Sequence, residues 1–426
     1  CKSRCTYCDF FSTTEGDALP AYVGALCREI EWRSGEMIYQ RHHRGATGSM
    51  ARLLPAESIY LGGGTPSRLT PGQLEAVIGT LRTHYMVRPD AEITIEMNPD
   101  DIARPTLPTP ADMLHTAAAG YGNTAMSPLT QWFKENVNRV SLGVQTFNDR
   151  ILRQLHRRHD AATAAEAVRI LHEEGIENIS IDLIYGLPGQ TMEVWAHDLD
   201  MAFSLGIQHI SAYALSYEPG TPLTRQRDAG LIREADDDLS VAMYESLCRR
   251  AEAEGFCHYE ISNFALPGYR SRHNSSYWTG HPYMGFGPGA HSYDGRFTRR
   301  ANLPDLHRYL DYYAAAAAMP TGKGDAHTDA RPTRRASTCL DKPFDIEDLD
   351  TTALYDEAVM CGLRTSEGIS LEATERRFGT QRLSYMMRMA EPHLAAGRLR
   401  LDDGRLRLTP SALMTSDGVM ADLMAE

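Results

Sequence analysis

Ser58-Ile59-Tyr60-Leu61-Gly62-Gly63-Gly64-Thr65-Pro66 is a short apolar run that ends in three glycines and gives way, at Thr70-Pro71, to a helical start. A run that short, bounded by glycine, reads as a buried strand. Thr70 offers an N-cap oxygen, and Pro71 is a first helical residue with no amide to satisfy. The unit is strand, glycine turn, helix, and it recurs outward along the chain. Segments 92–97, 137–144, 178–185 and 210–215 read as further strands. Segments 20–37, 164–174 and 191–205 read as helices, the first with Val23, Leu26, Cys27 and Ile30 at helical spacing, the second ended by Gly175. Strands separated by helical crossovers predict a parallel sheet with right-handed connections. The glycine run, Glu96, Gln145 and Asp182 fall at or near strand C-termini, the face that carries the chemistry of (β/α) barrels. The layout predicts an α/β protein with an incomplete barrel. The first residue is Cys1, with no initiator Met and no apolar leader, so a truncated start is expected, with a sixth strand preceding it.

The 426 residues are 42% hydrophobic and 23% charged, ordinary globular usage that excludes a disordered or fibrous chain. That length suits two or three domains, or one large barrel with an appendage. Lys and Arg number 43 against 56 Asp and Glu, a net charge of −13, which weighs against a nucleic-acid partner. No apolar stretch approaches a membrane span; the longest alanine run is 314–318. Three of the eight cysteines fall within the first eight positions, a pattern of metal binding or catalysis in a reducing compartment rather than of a disulfide framework. A cytoplasmic location is expected.

Residues 1–220 are expected to form the barrel core, with insertions near 41–56 and 100–136. A barrel-closing segment, 221–320, carries His273-Asn274-Ser275-Ser276-Tyr277-Trp278. A linker is expected at 321–345 and a small α+β, winged-helix-like domain at 346–426. Helices at 350–364 and 371–378 and a hairpin turning at Asp402-Asp403-Gly404 mark that last domain.

Cys1, Cys5 and Cys8 form C-x3-C-x2-C. Three thiolates on one loop can hold three irons of a 4Fe-4S cube and leave the fourth open to a small molecule. S-adenosylmethionine can chelate that iron through its amino and carboxylate groups, where an electron can cleave its sulfonium. Tyr7 beside the last thiolate suits adenine packing. The rival readings are inert cysteines or structural zinc, which wants a fourth ligand that this loop does not offer and only a remote His42 or His43 would. The glycine run lets backbone amides approach a ligand closely, or simply makes a tight turn. Cys27, Cys248, Cys257, Cys339 and Cys361 are scattered and read as buried or incidental.

Cys1-x3-Cys5-x2-Cys8-Asp9-Phe10, the glycine run with Thr65-Pro66-Ser67, Ser141-Leu142-Gly143-Val144-Gln145 and Ile181-Asp182-Leu183-Ile184-Tyr185-Gly186-Leu187-Pro188 together resemble the radical SAM coproporphyrinogen III oxidase family. The segment from His273 to Trp278 sharpens the match to its heme chaperone HemW branch. The resemblance covers nearly the whole chain, including Gly362-Leu363-Arg364 and Arg405-Leu406-Arg407-Leu408-Thr409-Pro410. It implies a partial (β/α)6 TIM-like radical SAM barrel followed by a HemN-like C-terminal domain. It also implies a 4Fe-4S cluster on Cys1, Cys5 and Cys8, and S-adenosylmethionine contacts at Tyr7, Gly63, Gly64, Thr65, Glu96, Gln145, Arg157 and Asp182, with Ser216 and His291 at looser positions. For the polar side chains the bland alternative is a rim salt bridge or cap.

His273 is the implied heme contact, since neutral imidazole is a common axial ligand and Tyr277 and Trp278 can flank a porphyrin. The alternative is a loop histidine with aromatic packing. Where the oxidase branch carries one more cysteine, two positions past the triad, Phe10 stands here. The function implied is heme binding and transfer to an acceptor protein, with an electron donor such as flavodoxin or ferredoxin. The alternative is oxygen-independent oxidative decarboxylation of coproporphyrinogen III. A radical SAM RNA-modifying protein is a third possibility, which the net charge of −13 weighs against.

Overall fold

Five strands run parallel in chain order: β1 (Ala56–Leu61), β2 (Val87–Met97), β3 (Arg139–Gln145), β4 (Ile179–Tyr185) and β5 (His209–Ala214). The computed structural model describes residues 1–43, 55–102, 128–317 and 341–425. Most of both expected insertions, 41–56 and 100–136, and of the expected linker, 321–345, lie outside the described residues, as does Cys339.

The strands alternate. Ile93, Ile95, Val140, Leu142, Ile181 and Leu183 turn outward and bury against helix residues such as Leu74, Ile78, Val168, Leu171 and Trp195. Each such side chain contributes about 1.5–3 kcal/mol relative to staying exposed. The residues between them are polar, and they hydrogen-bond to one another across the other face: Tyr60 with Glu96, Ser141 with Asp182, Ser180 with His209. The sheet is a curled half-barrel with an apolar, helix-covered outside and a polar inside.

Local signals act as expected at the helix ends. Thr70 and Gln73 form a reciprocal capping box with Pro71 in the first turn. Gly175, at φ +81°, ends the helix Ala161–Glu173. The first helix runs on to His43 (Leu19–His43).

Two short strands were not anticipated. β6 (Cys257–Glu260) and β7 (Asn263–Ala265) extend the sheet antiparallel, β7 against β5 and β6 at the edge. Beyond them β8 (His291–Tyr293), β9 (Thr298–Asn302) and β10 (Phe344–Asp348) make a second sheet, whose last strand begins at the end of the expected linker. That sheet is fastened to the first helix by Glu29, which is fully buried. Its carboxylate accepts from the Gly287 amide at 2.7 Å, Asn302 at 2.8 Å and the Tyr309 hydroxyl at 2.7 Å, with Arg33 and Arg300 at 3.4 and 3.7 Å.

The C-terminal unit packs Tyr355, Val359, Met386, Leu406 and Leu423 beneath a small sheet in the order β11 (Ile369–Ser370), β13 (Arg405–Leu408), β12 (Leu399–Asp402). Asp403 and Gly404, both at positive φ, turn its hairpin. The unit is joined to β6: Glu260 bridges to Thr365, the Ser366 amide donates to the Tyr259 carbonyl at 3.0 Å, and Arg364 pairs with Glu260 at 2.8 Å. Among the described residues no helix is long and apolar enough to cross a membrane. Of the scattered cysteines, Cys257 is exposed on an edge strand, while Cys27, Cys248 and Cys361 are partly buried.

Candidate functional site

The loop from Cys1 to Cys8 is held by its backbone: the Thr6 amide donates to Leu155 O at 3.1 Å and Thr6 O accepts from the Leu223 amide at 2.9 Å. Its three thiols therefore stand where the fold puts them, each partly exposed. The glycine run after β1 lies against this loop. The Thr65 hydroxyl donates to Cys1 Sγ at 3.2 Å, and a Cβ on Gly64 would sit 3.5 Å from the same sulfur. On the other side Arg157 Nη1 reaches Cys5 Sγ at 3.4 Å while Nη2 reaches Asn98 Oδ1 at 2.8 Å and also donates to Gly143 O. A Cβ on Gly143 would fall 3.2 Å from that guanidinium, so glycine there makes its room. Burial pushes the Cys8 thiol up, opposed by a hydrogen bond from the Phe10 backbone. Tyr7 packs with Ile151, Leu155, Ile184 and Leu187, and burial raises its hydroxyl well above the usual range.

Glu96 closes the constellation from β2. It accepts from the Tyr60 hydroxyl at 2.7 Å and from the Gly63 amide at 3.1 Å. Burial pushes it up to about 7. Asp182, bonded to Ser141 and Ser211, is pushed up to about 6 for the same reason. Gln145 ends β3 at φ +71°, just past a bulge that re-aims it toward Gly143. Tyr213 is 43% exposed, yet burial raises its hydroxyl and Asp182, Ser211, Glu260 and Glu96 surround it. Its exposure is to the inside of the half-barrel.

Cys1, Cys5, Cys8, Gly63, Gly64, Thr65, Glu96, Gln145, Arg157 and Asp182 are thus brought to one end of the sheet. At the looser positions, Ser216 lies just past the end of β5, its hydroxyl donating to Glu218, and His291 is exposed on β8. The donor set fits a sulfur-ligated cluster and a zwitterionic nucleotide. Gly63, at φ +109° with nothing within 4 Å of where a Cβ would be, leaves an open cradle beside the thiols, and the Arg157 Nε is buried there without a protein partner. Among the described residues no three His, Cys, Asp or Glu side chains converge as on a single ion. A cube asks less, because each thiolate takes a different iron.

The carboxyl shifts have a testable consequence. Glu96 holds its proton up to about 7 in the folded chain against 4.5 for an ordinary glutamate, so unfolding releases a proton within that window, and stability falls as pH rises through it. Glu96→Gln removes this loss. Its stability relative to the parent should climb from about pH 4.5 to 7 and level off above, in urea melts across pH; a flat difference would rule the buried acid out as the cause.

His273 sits on the same inner wall. It opens the helix Arg272–Trp278, whose amides at Arg272 and His273 donate to the buried Glu92 carboxylate, both at 3.0 Å. Its ring stacks on Tyr60 at 4.6 Å, its Nδ1 lies 3.0 Å from Ser58 Oγ, and its Nε2 lies 2.9 Å from the Tyr277 hydroxyl. Burial lowers it to about 4, so it is neutral at ordinary pH. Trp278, which with Tyr277 can flank a porphyrin, has the Arg364 guanidinium over its ring at 4.6 Å.

Ser58, Tyr60, Glu92 and Tyr213 were not singled out from the sequence. Their signal was there: Ser-Ile-Tyr-Leu and Glu-Ile-Thr-Ile-Glu-Met alternate, whereas a parallel sheet covered on both faces reads as a continuous apolar run.

Residues 1–202 match the Radical SAM superfamily and residues 349–415 the HemN C-terminal domain. Over its whole length the chain is 32% identical to the heme chaperone HemW of Mycobacterium tuberculosis, covering 92% of that protein. The heme chaperone HemW of Lactococcus lactis is likewise 32% identical, over 89% of this chain and 83% of its own. Among solved structures, coproporphyrinogen III oxidase (HemN) from Escherichia coli superimposes with a TM-score of 0.73 over 100% of this chain and 88% of its own, at 18% identity, a likeness of fold.

Proposed function

The chain belongs to the heme chaperone HemW family of radical SAM proteins, and on that premise we propose that it binds heme at His273 and passes it to an acceptor protein. In this reading Cys1, Cys5 and Cys8 hold a 4Fe-4S cluster. Gly63, Gly64 and Thr65 receive the methionine end of S-adenosylmethionine, and Glu96 accepts hydrogen bonds from its donors. Bound together, the two supply one-electron reductive chemistry at a sulfonium, fed by a flavodoxin- or ferredoxin-like donor.

The observation that carries the reading is the seat of His273: a neutral imidazole on the inner wall, stacked on the tyrosine that holds Glu96. A neutral imidazole offers a lone pair to heme iron without first losing a proton. Glu92 and Ser58, on neighbouring strands in register, keep it there by its amide and its Nδ1. Phe10 supports transfer over decarboxylation. It stands where the oxidase branch has its further cysteine, and an apolar ring 73% exposed offers no thiol to a radical.

The test uses anaerobically purified chain reconstituted with iron and sulfide. Hemin titration should saturate at about one per chain, and His273→Ala should lose that binding while keeping its iron–sulfur content. Coproporphyrinogen III should be returned without vinyl products. Turnover to protoporphyrinogen would overturn the reading.

A further inference from the structure

A neutral imidazole has one N–H and one lone pair, and both ring nitrogens of His273 are occupied. Nδ1 meets Ser58 Oγ at 3.0 Å and Nε2 meets the Tyr277 hydroxyl at 2.9 Å. A phenol is the more acidic of the two hydroxyls, hence the better donor and the poorer acceptor. Both bonds are best made with Nδ1–H donating to Ser58 and Tyr277 donating into the lone pair of Nε2.

The two edges of the ring are held differently. Ser58 belongs to β1, beside Glu92 on β2, so the Nδ1 edge is fixed to the sheet at the same place as the His273 amide. Tyr277 is four residues on along the same short helix, its ring edge-on to Tyr283 at 4.7 Å. Nε2 can be freed by breaking one hydrogen bond within that helix; freeing Nδ1 means letting go of the sheet.

We propose that the Tyr277 hydroxyl is a latch over the iron-binding nitrogen of His273, and that Ser58 fixes Nε2 as that nitrogen by holding the proton on Nδ1. This rests on the reading of His273 as the heme contact and adds how that contact is regulated. When heme arrives, the Tyr277–Nε2 hydrogen bond breaks and an iron–Nε2 bond forms from the same lone pair. The proton stays on Nδ1, and nothing is oxidised or reduced. Burial keeps the ring unprotonated at neutral pH, so the competitor for the lone pair is the phenol and not solvent acid. A chain that is mostly latched binds heme more weakly by the fraction that is open. Ser58 and Tyr277 act through His273 and are positioning residues.

Stopped-flow binding of hemin to the reconstituted chain separates the possibilities. A latch acts only on the free chain, so Tyr277→Phe should raise the association rate about 2–10-fold, the worth of one neutral hydrogen bond, and leave dissociation unchanged. A merely structural loosening would speed dissociation instead. Ser58→Ala, which lets the proton move to Nε2, should slow association. A ring-fluorinated tyrosine at position 277, a stronger donor of the same shape, should also slow it, and keeps the test open if Tyr277→Phe folds poorly. If His273→Ala loses hemin but Tyr277→Phe associates no faster, the latch is wrong and the His273 contact stands. If His273→Ala binds hemin like the parent, the contact itself is wrong.

Discussion

Glu29→Ala is expected to lose about 3–5 kcal/mol of folding stability, the cost of removing one partner from a buried charge group. Glu29 is wholly buried, and its two oxygens answer the Gly287 amide, Asn302, Tyr309 and the guanidiniums of Arg33 and Arg300, themselves only 4% and 9% exposed. Without the carboxylate, two cations stay in a poorly solvated place and the second sheet loses one of its ties to the first helix, that of Arg33 to Ser292 Oγ at 2.9 Å remaining. The charges left behind carry most of the cost, so Arg33→Met in the Glu29→Ala background should recover part of it. Urea unfolding of the single and double variants measures both. A shift under about 1 kcal/mol for Glu29→Ala, or no recovery in the double variant, would mean that the group is already solvated.

Cys5→Ala should abolish the cluster: from about four irons per chain after reconstitution to essentially none, with loss of the iron–sulfur visible absorption. The thermal midpoint of the chain as isolated, before reconstitution, should not move. The loop keeps its Thr6 amide and carbonyl bonds, the variant gives up only the long 3.4 Å contact of Arg157 with Cys5 Sγ, and Cys5 is only partly buried, so a missing thiol leaves little cavity. Iron content near the parent's would sink the three-thiolate assignment, and so would full iron loss only alongside unfolding.

The parts of the fold legible in the sequence are those specified within a few residues of themselves. The five parallel strands, the Thr70–Pro71 start and the turn at Asp402–Gly404 each announce themselves through spacing, capping or positive φ. β6 and β7, at four and three residues, are too short for any periodicity to register. Glu29 with Arg33 four residues on looks like a surface ion pair on a helix; its other partners lie 258 to 280 positions away, and only the folded chain brings them in. The candidate site divides the same way. The cysteines and glycines are contiguous motifs. The hold on His273 depends on the register that sets Ser58 beside Glu92, which no local pattern contains.

β6 bears on how this chain can be cut. Its outer side is hydrogen-bonded by the stretch after the helix Thr351–Arg364, through the Glu260–Thr365 bridge and the Ser366 amide. A fragment stopping short of that helix would bare a strand margin with idle amides and carbonyls, and would strip the guanidinium from Trp278 on the histidine's own helix. Bare margins recruit their like, so such a fragment is set up to stick to copies of itself. The tail is a selvedge that keeps the weave from running, and it cannot be trimmed away as a detachable module.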